Sequence, residues 1–343
     1  MQEKAPTDDE LRLIHALQVW PRAPWSLLGP IFDVDPVTLA RRWSALTSRG
    51  MAWVTSQPPS SSVARTSPAL GAIVEVECVA GSIDSVITEL SQDRECLSID
   101  VASGGRDVIL TVGGRTPAEF NRYVISRVPG IPDVRTVRTH PVITTVSAAP
   151  QWRLRALDAD EVSVIDAARH TETARLSAMF SRPPVADPDI IAILSHDGRA
   201  TTRMVSEALG VPMRRARVQL SATLASGSFE IRTDMPRWAS GYPICAWYFL
   251  RVPAAQIAQV GRRLSGLPAV RTVLSVAGPA NLLVSVWLRE LSDVEGLEVV
   301  IEQKLPAVSI LDRSVVLSVR KRMGRVFDED EIPMQVVPWD GLP

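Results

Sequence analysis

The sequence predicts an α+β chain in which one plan occurs twice: a helix-turn-helix, optionally winged, followed by a βαββαβ sandwich. Three observations predict it. Residues 22 to 54 and 199 to 231 share one apolar pattern about 177 positions apart, running from Arg22, Ala23, Leu28, Leu39, Gly50 and Val54 to Arg199, Ala200, Val205, Ala216, Gly227 and Ile231. Near residue 70 the apolar period changes from helical to alternating. The order strand, helix, two strands, helix, strand then appears once after residue 70 and again after residue 241, about 174 positions later. Self-similarity at long period sets architecture before any local motif does.

Composition bounds the answer. The 343 residues exceed what one core usually organises, and 46% hydrophobic residues supply ample core. A net charge of -1 excludes a uniformly basic nucleic-acid coat, so any DNA contact must be local. Cys78, Cys96 and Cys245 have no CxxC spacing, and an odd count fits a reduced compartment with the thiols as small buried hydrophobes. Met1 to Asp9 holds charges of both signs and no apolar run, and no segment reaches membrane-spanning length. A soluble, cytoplasmic protein is the expectation.

The elements follow in order. Residues 8 to 19 place Leu11, Ile14 and Leu17 at helical spacing, and a short helix runs from Trp25 to Phe32. A third helix opens with Asp35 as N-cap and Pro36 at its first position, where the missing N–H costs nothing, and ends near Gly50. It buries Leu39, Trp43 and Leu46 and shows Thr38, Arg41, Arg42 and Ala45. Such a unit suits DNA because one helix fills the major groove while Arg and Thr reach base edges and phosphates. The alternative is a merely solvated amphipathic face. Past a Pro/Ser-rich stretch, Gln57 to Pro68, strands are expected at 72–79, 97–102, 108–112 and 134–146, with helices at 83–90 and 117–128. The second set is 246–252, 254–264, 270–276, 282–288, 294–304 and 309–319. The bare sheet faces are expected to pack on each other. Residues 148 to 186 read as a helical connector or a disordered linker, and the acidic tail after Arg325 as mobile. The boundaries fall at 7–56, 70–147, 148–186, 187–237 and 241–322.

This order of parts resembles the Lrp/AsnC (leucine-responsive regulatory protein) family of transcription regulators in a tandem form. The resemblance rests on the Asp35 to Gly50 helix, the Val101 to Asp107 turn and the Val315 to Gly324 ending. It implies ferredoxin-like sandwiches that pair and sense a small, amino-acid-like effector, helix-turn-helix units that bind a double-stranded operator, and further homo-oligomerisation. The implied DNA-facing residues are Thr38, Arg41 and Arg42, then Arg203, Arg214, Arg215 and Gln219, with Arg217 close by. Pro212, Gln219 and Thr223 replace Asp35, Arg42 and Leu46, which leaves the second reader to bind weakly, to bind another sequence, or to serve as structure.

The turns between paired strands, Ser103, Gly104, Gly105 and Asp107 in one half and Gly278 and Asn281 in the other, are candidate effector sites. Glycine lets backbone approach a carboxylate and Asp107 can take an ammonium. Plain tight turns are the other reading. No GxSxG, P-loop or strand-borne GxGxxG occurs, and His15, His140, His170 and His196 have no metal-ligand spacing. The expectation is therefore no enzyme, no cofactor, no metal and no membrane. Two competitors stand. One is an enzyme like the sirohaem decarboxylases, which resemble this family and use His and Arg near the sheet, as His140 beside Arg135 and Arg138 would allow. The other is an effector-binding scaffold with vestigial readers.

Overall fold

The computed structural model describes residues 5–59, 70–147 and 152–339. Most of the Pro/Ser-rich stretch, the start of the connector and the first four residues lie outside the described residues. The chain folds as two compact units that each take pieces from both halves of the sequence: Met1–Pro59 with Arg153–Ser240, and Ser60–Trp152 with Gly241–Gly341.

The first unit holds α1 (Asp8–Val19), α2 (Trp25–Phe32), α3 (Pro36–Ser48) and β1 (Trp53–Gln57), then α6 (Ala159–Ala178), α7 (Pro188–His196), α8 (Thr202–Leu209), α9 (Met213–Ala225) and β6 (Glu230–Asp234). Local chemistry sets the helix ends. Thr7 and Glu10 form a capping box at α1, and Asp158 and Glu161 do so at α6. Asp35 and Asp187 cap helices that carry Pro at the first position. Gly210, in the left-handed region at φ 62°, ends α8. The connector is thus helical over Ala159–Ala178, and that helix packs on α1 and α9.

The joint between the two three-helix segments is reciprocal. β1 and β6 pair antiparallel, Trp53 opposite Asp234 through Gln57 opposite Glu230. Arg22 donates to the carbonyls of Gly198 (2.6 Å) and Ala200 (3.1 Å), while Arg199 donates to those of Pro21 (2.7 Å) and Ala23 (2.9 Å). The repeated Arg-Ala pair is therefore a mutual clasp. Burial lowers the pKa of both guanidiniums, that of Arg199 to about 10 with the Arg22 charge adding to the effect. Gly198 is required by closeness, since a Cβ would lie 2.4 Å from a Val54 methyl.

The second unit holds β2 (Leu70–Cys78), α4 (Ile83–Ser91), β3 (Cys96–Ala102), β4 (Val108–Gly114), α5 (Pro117–Arg122) and β5 (Val134–Ser147), followed by β7 (Ile244–Arg251), α10 (Ile257–Ser265), β8 (Val270–Val276), β9 (Leu282–Leu288), α11 (Asp293–Lys304) and β10 (Ser309–Arg322). The βαββαβ order occurs twice. Each half packs one sheet face under its own helices. Val74, Val76, Ile87, Leu110 and Phe120 belong to the first core, and Tyr248, Leu250, Leu264, Val284 and Ile301 to the second.

The faces without helices are buried, with Ile73, Ile109, Phe249 and Leu283 on them, and the two sheets also join edge to edge. The strands run β10-β3-β4-β2-β5-β8-β9-β7, and β7 pairs back to β10, closing a ring. The reason lies in strand length. β5 and β10 have 14 residues each, more than twice the usual strand, so each pairs with its own half along one stretch and with the other half along the rest. Closure removes the unpaired edges of these strands and turns the non-helical face inward.

The described part of the tail, up to Trp339, is built onto the sheet. Met323 and Gly324 adopt left-handed backbone and reverse the chain, so that β11 (Arg325–Phe327) pairs with β10 and β12 (Pro333–Val336) with β11. The acidic run is anchored because buried Glu331 accepts the Val319 N–H at 3.0 Å.

Candidate functional site

Two regions carry the candidate residues. In the first unit, α3 and α9 are the third helices of their segments. On α3, Arg41 is exposed, Thr38 is half-buried, and half-buried Arg42 reaches Asp9 at 3.4 Å. The rest of the outward face is Val37, Ser44, Ala45, Thr47 and Ser48. On α9, Arg214, Arg215 and Arg217 are all exposed, and Arg203 on α8 pairs with Glu207 at 2.7 Å. Gln219 does not turn outward with them. It is half-buried and donates to Asp187 at 3.1 Å, so it ties α9 to the start of α7 as Arg42 ties α3 to α1. Thr223 is fully buried, and its hydroxyl accepts the Asp187 N–H at 3.1 Å, which recovers a polar contact where Leu46 packs in the first segment.

In the second unit the candidate turns are joints between the halves. Ser103 N–H donates to the Val315 carbonyl at 2.9 Å, and the Val315 N–H donates to Ser103 Oγ at 3.0 Å. In the other half, the Ala277 N–H donates to Pro141 at 2.9 Å. Asp107 Oδ2 accepts the Cys78 N–H at 2.7 Å, and Asn281 both accepts from and donates to Val252. Asp107 is thereby fixed at the end of β2, with Oδ2 holding the Cys78 N–H. Gly104 has φ 97°, a conformation Gly adopts freely, and a Cβ at Gly105 would meet nothing within 4 Å.

Beside these turns lies a buried ionic cluster inside the ring. Glu75 Oε2 accepts from Arg106 Nε at 2.6 Å, and Glu75 Oε1 shares a 2.6 Å hydrogen bond with His140 Nε2. Arg106 also donates to Ser314 Oγ at 2.7 Å and to Asp312, and its guanidinium lies 4.1 Å from the centre of the Phe249 ring. Burial pushes the Glu75 carboxyl up, but the His140 hydrogen bond and the Arg106 charge outweigh it, so Glu75 sits below the usual carboxylate range. His140 Nδ1 is buried and has no hydrogen-bond partner among the described residues; a Cβ at Gly278 would lie 2.8 Å from it. The sequence reading set His140 beside Arg135 and Arg138. Instead Arg138 pairs with Glu77 at 2.6 Å, and the residues missed were Glu75 and Arg106. The one available signal was a pair of carboxylates on alternate positions of a strand.

Residues 71–152 match the family model described as the Lrp/AsnC ligand binding domain. An uncharacterised HTH-type transcriptional regulator of Pyrococcus abyssi is 25% identical over 143 residues, spanning 41% of this chain and 90% of its own length. A counterpart in Pyrococcus horikoshii is 24% identical over the same extent. Among solved structures, the siroheme decarboxylase NirDL covers 92% of this chain and 92% of its own, with a TM-score of 0.54 at 14% identity. Escherichia coli AsnC covers 41% of this chain and 94% of its own, with a TM-score of 0.35 at 17% identity. The NirDL likeness corrects one expectation. The absence of familiar catalytic motifs was read as the absence of an enzyme, yet an enzyme shares this fold over nearly the whole chain, because a fold hosts catalysis without a sequence signature. No helix among the described residues is long and apolar enough to cross a membrane.

Proposed function

We propose that the chain is a DNA-binding transcription regulator, a tandem form of the Lrp/AsnC type, in which α1–α3 and α7–α9 act as helix-turn-helix readers and the ring unit binds a small effector. The observation that carries it is the combination of an Lrp/AsnC ligand-binding match at 71–152 with outward arginines on the third helix of both segments. Arg41, Arg214 and Arg215 would meet phosphates or base edges, with Thr38 beside Arg41 and Arg203 beyond its Glu207 pair. The effector would be amino-acid-like and held at the Ser103–Asp107 or Gly278–Asn281 turns, chiefly through backbone N–H groups, because Asp107 and Asn281 are engaged with β2 and β7. A cytoplasmic location and further self-association belong to the same reading.

Genomic footprinting of the tagged full chain tests it. Discrete bound sites that disappear in an Arg41→Ala, Arg214→Ala, Arg215→Ala variant are expected, and uniform background would sink the regulator. Calorimetry against the twenty amino acids, with Gly105→Val as the blocked turn, tests the effector site; unchanged binding in that variant removes the turn.

A second reading is an enzyme resembling the sirohaem decarboxylases. The Glu75–His140–Arg106 cluster favours it, because a carboxylate-bound imidazole next to a guanidinium can move a proton at an anionic substrate. Visible absorbance on titration with an iron porphyrin of the uroporphyrin class, followed by carbon dioxide release, would separate the two.

A further inference from the structure

The two third helices differ in where their cations stand. The first turn of α3 begins Pro36, Val37, Thr38, and the first turn of α9 begins Met213, Arg214, Arg215. The α9 face continues with exposed Arg217, so three guanidiniums project from its N-terminal half, and no ion pair joins any of them to a described residue. On α3 the outward charge is Arg41 alone, since Arg42 is engaged with Asp9. The approach to each helix differs as well. Exposed Asp33 and Asp35 flank the start of α3, while Gly210, Val211 and Pro212 lead into α9 without charge.

Resting on the regulator reading, we infer that the second segment is the principal DNA-contacting reader and that the first contributes a weaker contact. In helix-turn-helix proteins the N-terminal residues of the third helix enter the groove, which is where α9 carries Arg and α3 carries Val and Thr. Three exposed arginines displace more counterions than one, and two nearby carboxylates oppose a phosphate at the α3 side. Of the three substitutions that made the second segment look degraded by sequence, Pro212 leaves α9 without a side-chain cap, while Gln219 and Thr223 face inward and hold α9 on α7. These two leave its outward face intact.

Salt dependence of binding measures this on the full chain. Fluorescence anisotropy with a labelled 30-base-pair random duplex is followed from low to physiological salt for the wild type, Arg41→Ala, and the triple variant Arg214→Ala/Arg215→Ala/Arg217→Ala. The slope of log K against log salt should fall by about 3 in the triple variant and by about 1 in Arg41→Ala. The corresponding triple lysine variant should keep the wild-type slope, which separates lost charge from lost folding. A steep wild-type slope that Arg41→Ala lowers as much as the triple variant does would overturn the inference and leave the regulator standing. A wild type with no salt-dependent duplex binding, or one that prefers anionic phospholipid vesicles to the duplex, would remove both.

Discussion

The arginine clasp in the first unit has the same hydrogen bonds from either side, whereas the joint in the second unit does not. Arg22 and Arg199 exchange equivalent pairs of hydrogen bonds across the β1–β6 ladder. In the ring, register puts Ile73 opposite His140 and Glu75 opposite Arg138, while the corresponding ladder puts Trp247 opposite Ser314 and Phe249 opposite Asp312. Arg106, just before Asp107, corresponds to Ala280, just before Asn281. One half therefore supplies an acid, a base and a guanidinium, and the other an aromatic face, a hydroxyl and a second acid. A reciprocal clasp fits any two like segments. The ionic cluster fits only unlike halves, because a first half facing another would meet Arg138 where Arg106 needs Asp312.

The largest effect should come from breaking the unlike joint. Arg106→Ala leaves Glu75 buried with only His140 and removes the partner of Asp312, a loss of about 3–5 kcal/mol for a broken buried ion pair. Denaturant unfolding measures it. Adding Glu75→Gln should recover part of that loss, since the stranded charge goes with it. A loss below about 1 kcal/mol in Arg106→Ala would mean that the cluster is effectively solvated and does not define the joint.

The like joint should respond more mildly. Arg22→Ala and Arg199→Ala each free two carbonyls from charged donors, a loss of about 2–3 kcal/mol, and Arg199→Ala should exceed Arg22→Ala by about 1 kcal/mol because its guanidinium also lies 4.0 Å from the centre of the Trp25 ring. Losses more unequal than that would break the comparison. Gly198→Ala should cost about 1–3 kcal/mol by overpacking against Val54, read from the same unfolding curves.

The contrast also marks what a sequence can disclose. The Asp35-Pro36 start of α3 and its buried Leu39, Trp43 and Leu46 were legible because caps and helical period are local. Both βαββαβ orders were legible from changes of period. The repeated Arg-Ala pair was visible as a pattern, but its role was not, since each guanidinium finds its carbonyls on the other half of the chain. Glu75 was not singled out, because an alternating strand shows which residues share a face and not which side chains meet across a closed ring. The tail misled by its charge, because Glu331 is anchored through a backbone N–H that no composition reveals. The arginines of α9 were seen, while the inward turn of Gln219 depended on Asp187, a partner 32 residues away.

The smallest expected effect separates the units by acid. In the first unit His15 is buried, and its Nδ1 accepts the Leu157 N–H at 3.0 Å, a bond available only to the unprotonated nitrogen. Burial, helped by the Arg153 charge and opposed by Glu161, lowers the imidazole from its ordinary 6.5 to about 4. The unfolded chain then takes up the proton first, so stability declines as pH falls from about 6.5 to about 4 and levels below that. Glu75 in the ring is depressed instead, so its contribution persists above about pH 4.5 and is lost only on further acidification through its lower folded value. His15→Asn keeps an acceptor for Leu157 without the titration. It should flatten the first unit's loss between pH 6.5 and 4 by on the order of 1–2 kcal/mol, the full shift being reduced by screening. Hydrogen exchange at Leu157 and at Val76 across that range reads the two units separately: early loss of protection at Leu157 in the wild type, abolished by the variant, is the expected result, and equal sensitivity in both proteins would show that His15 does not set the order.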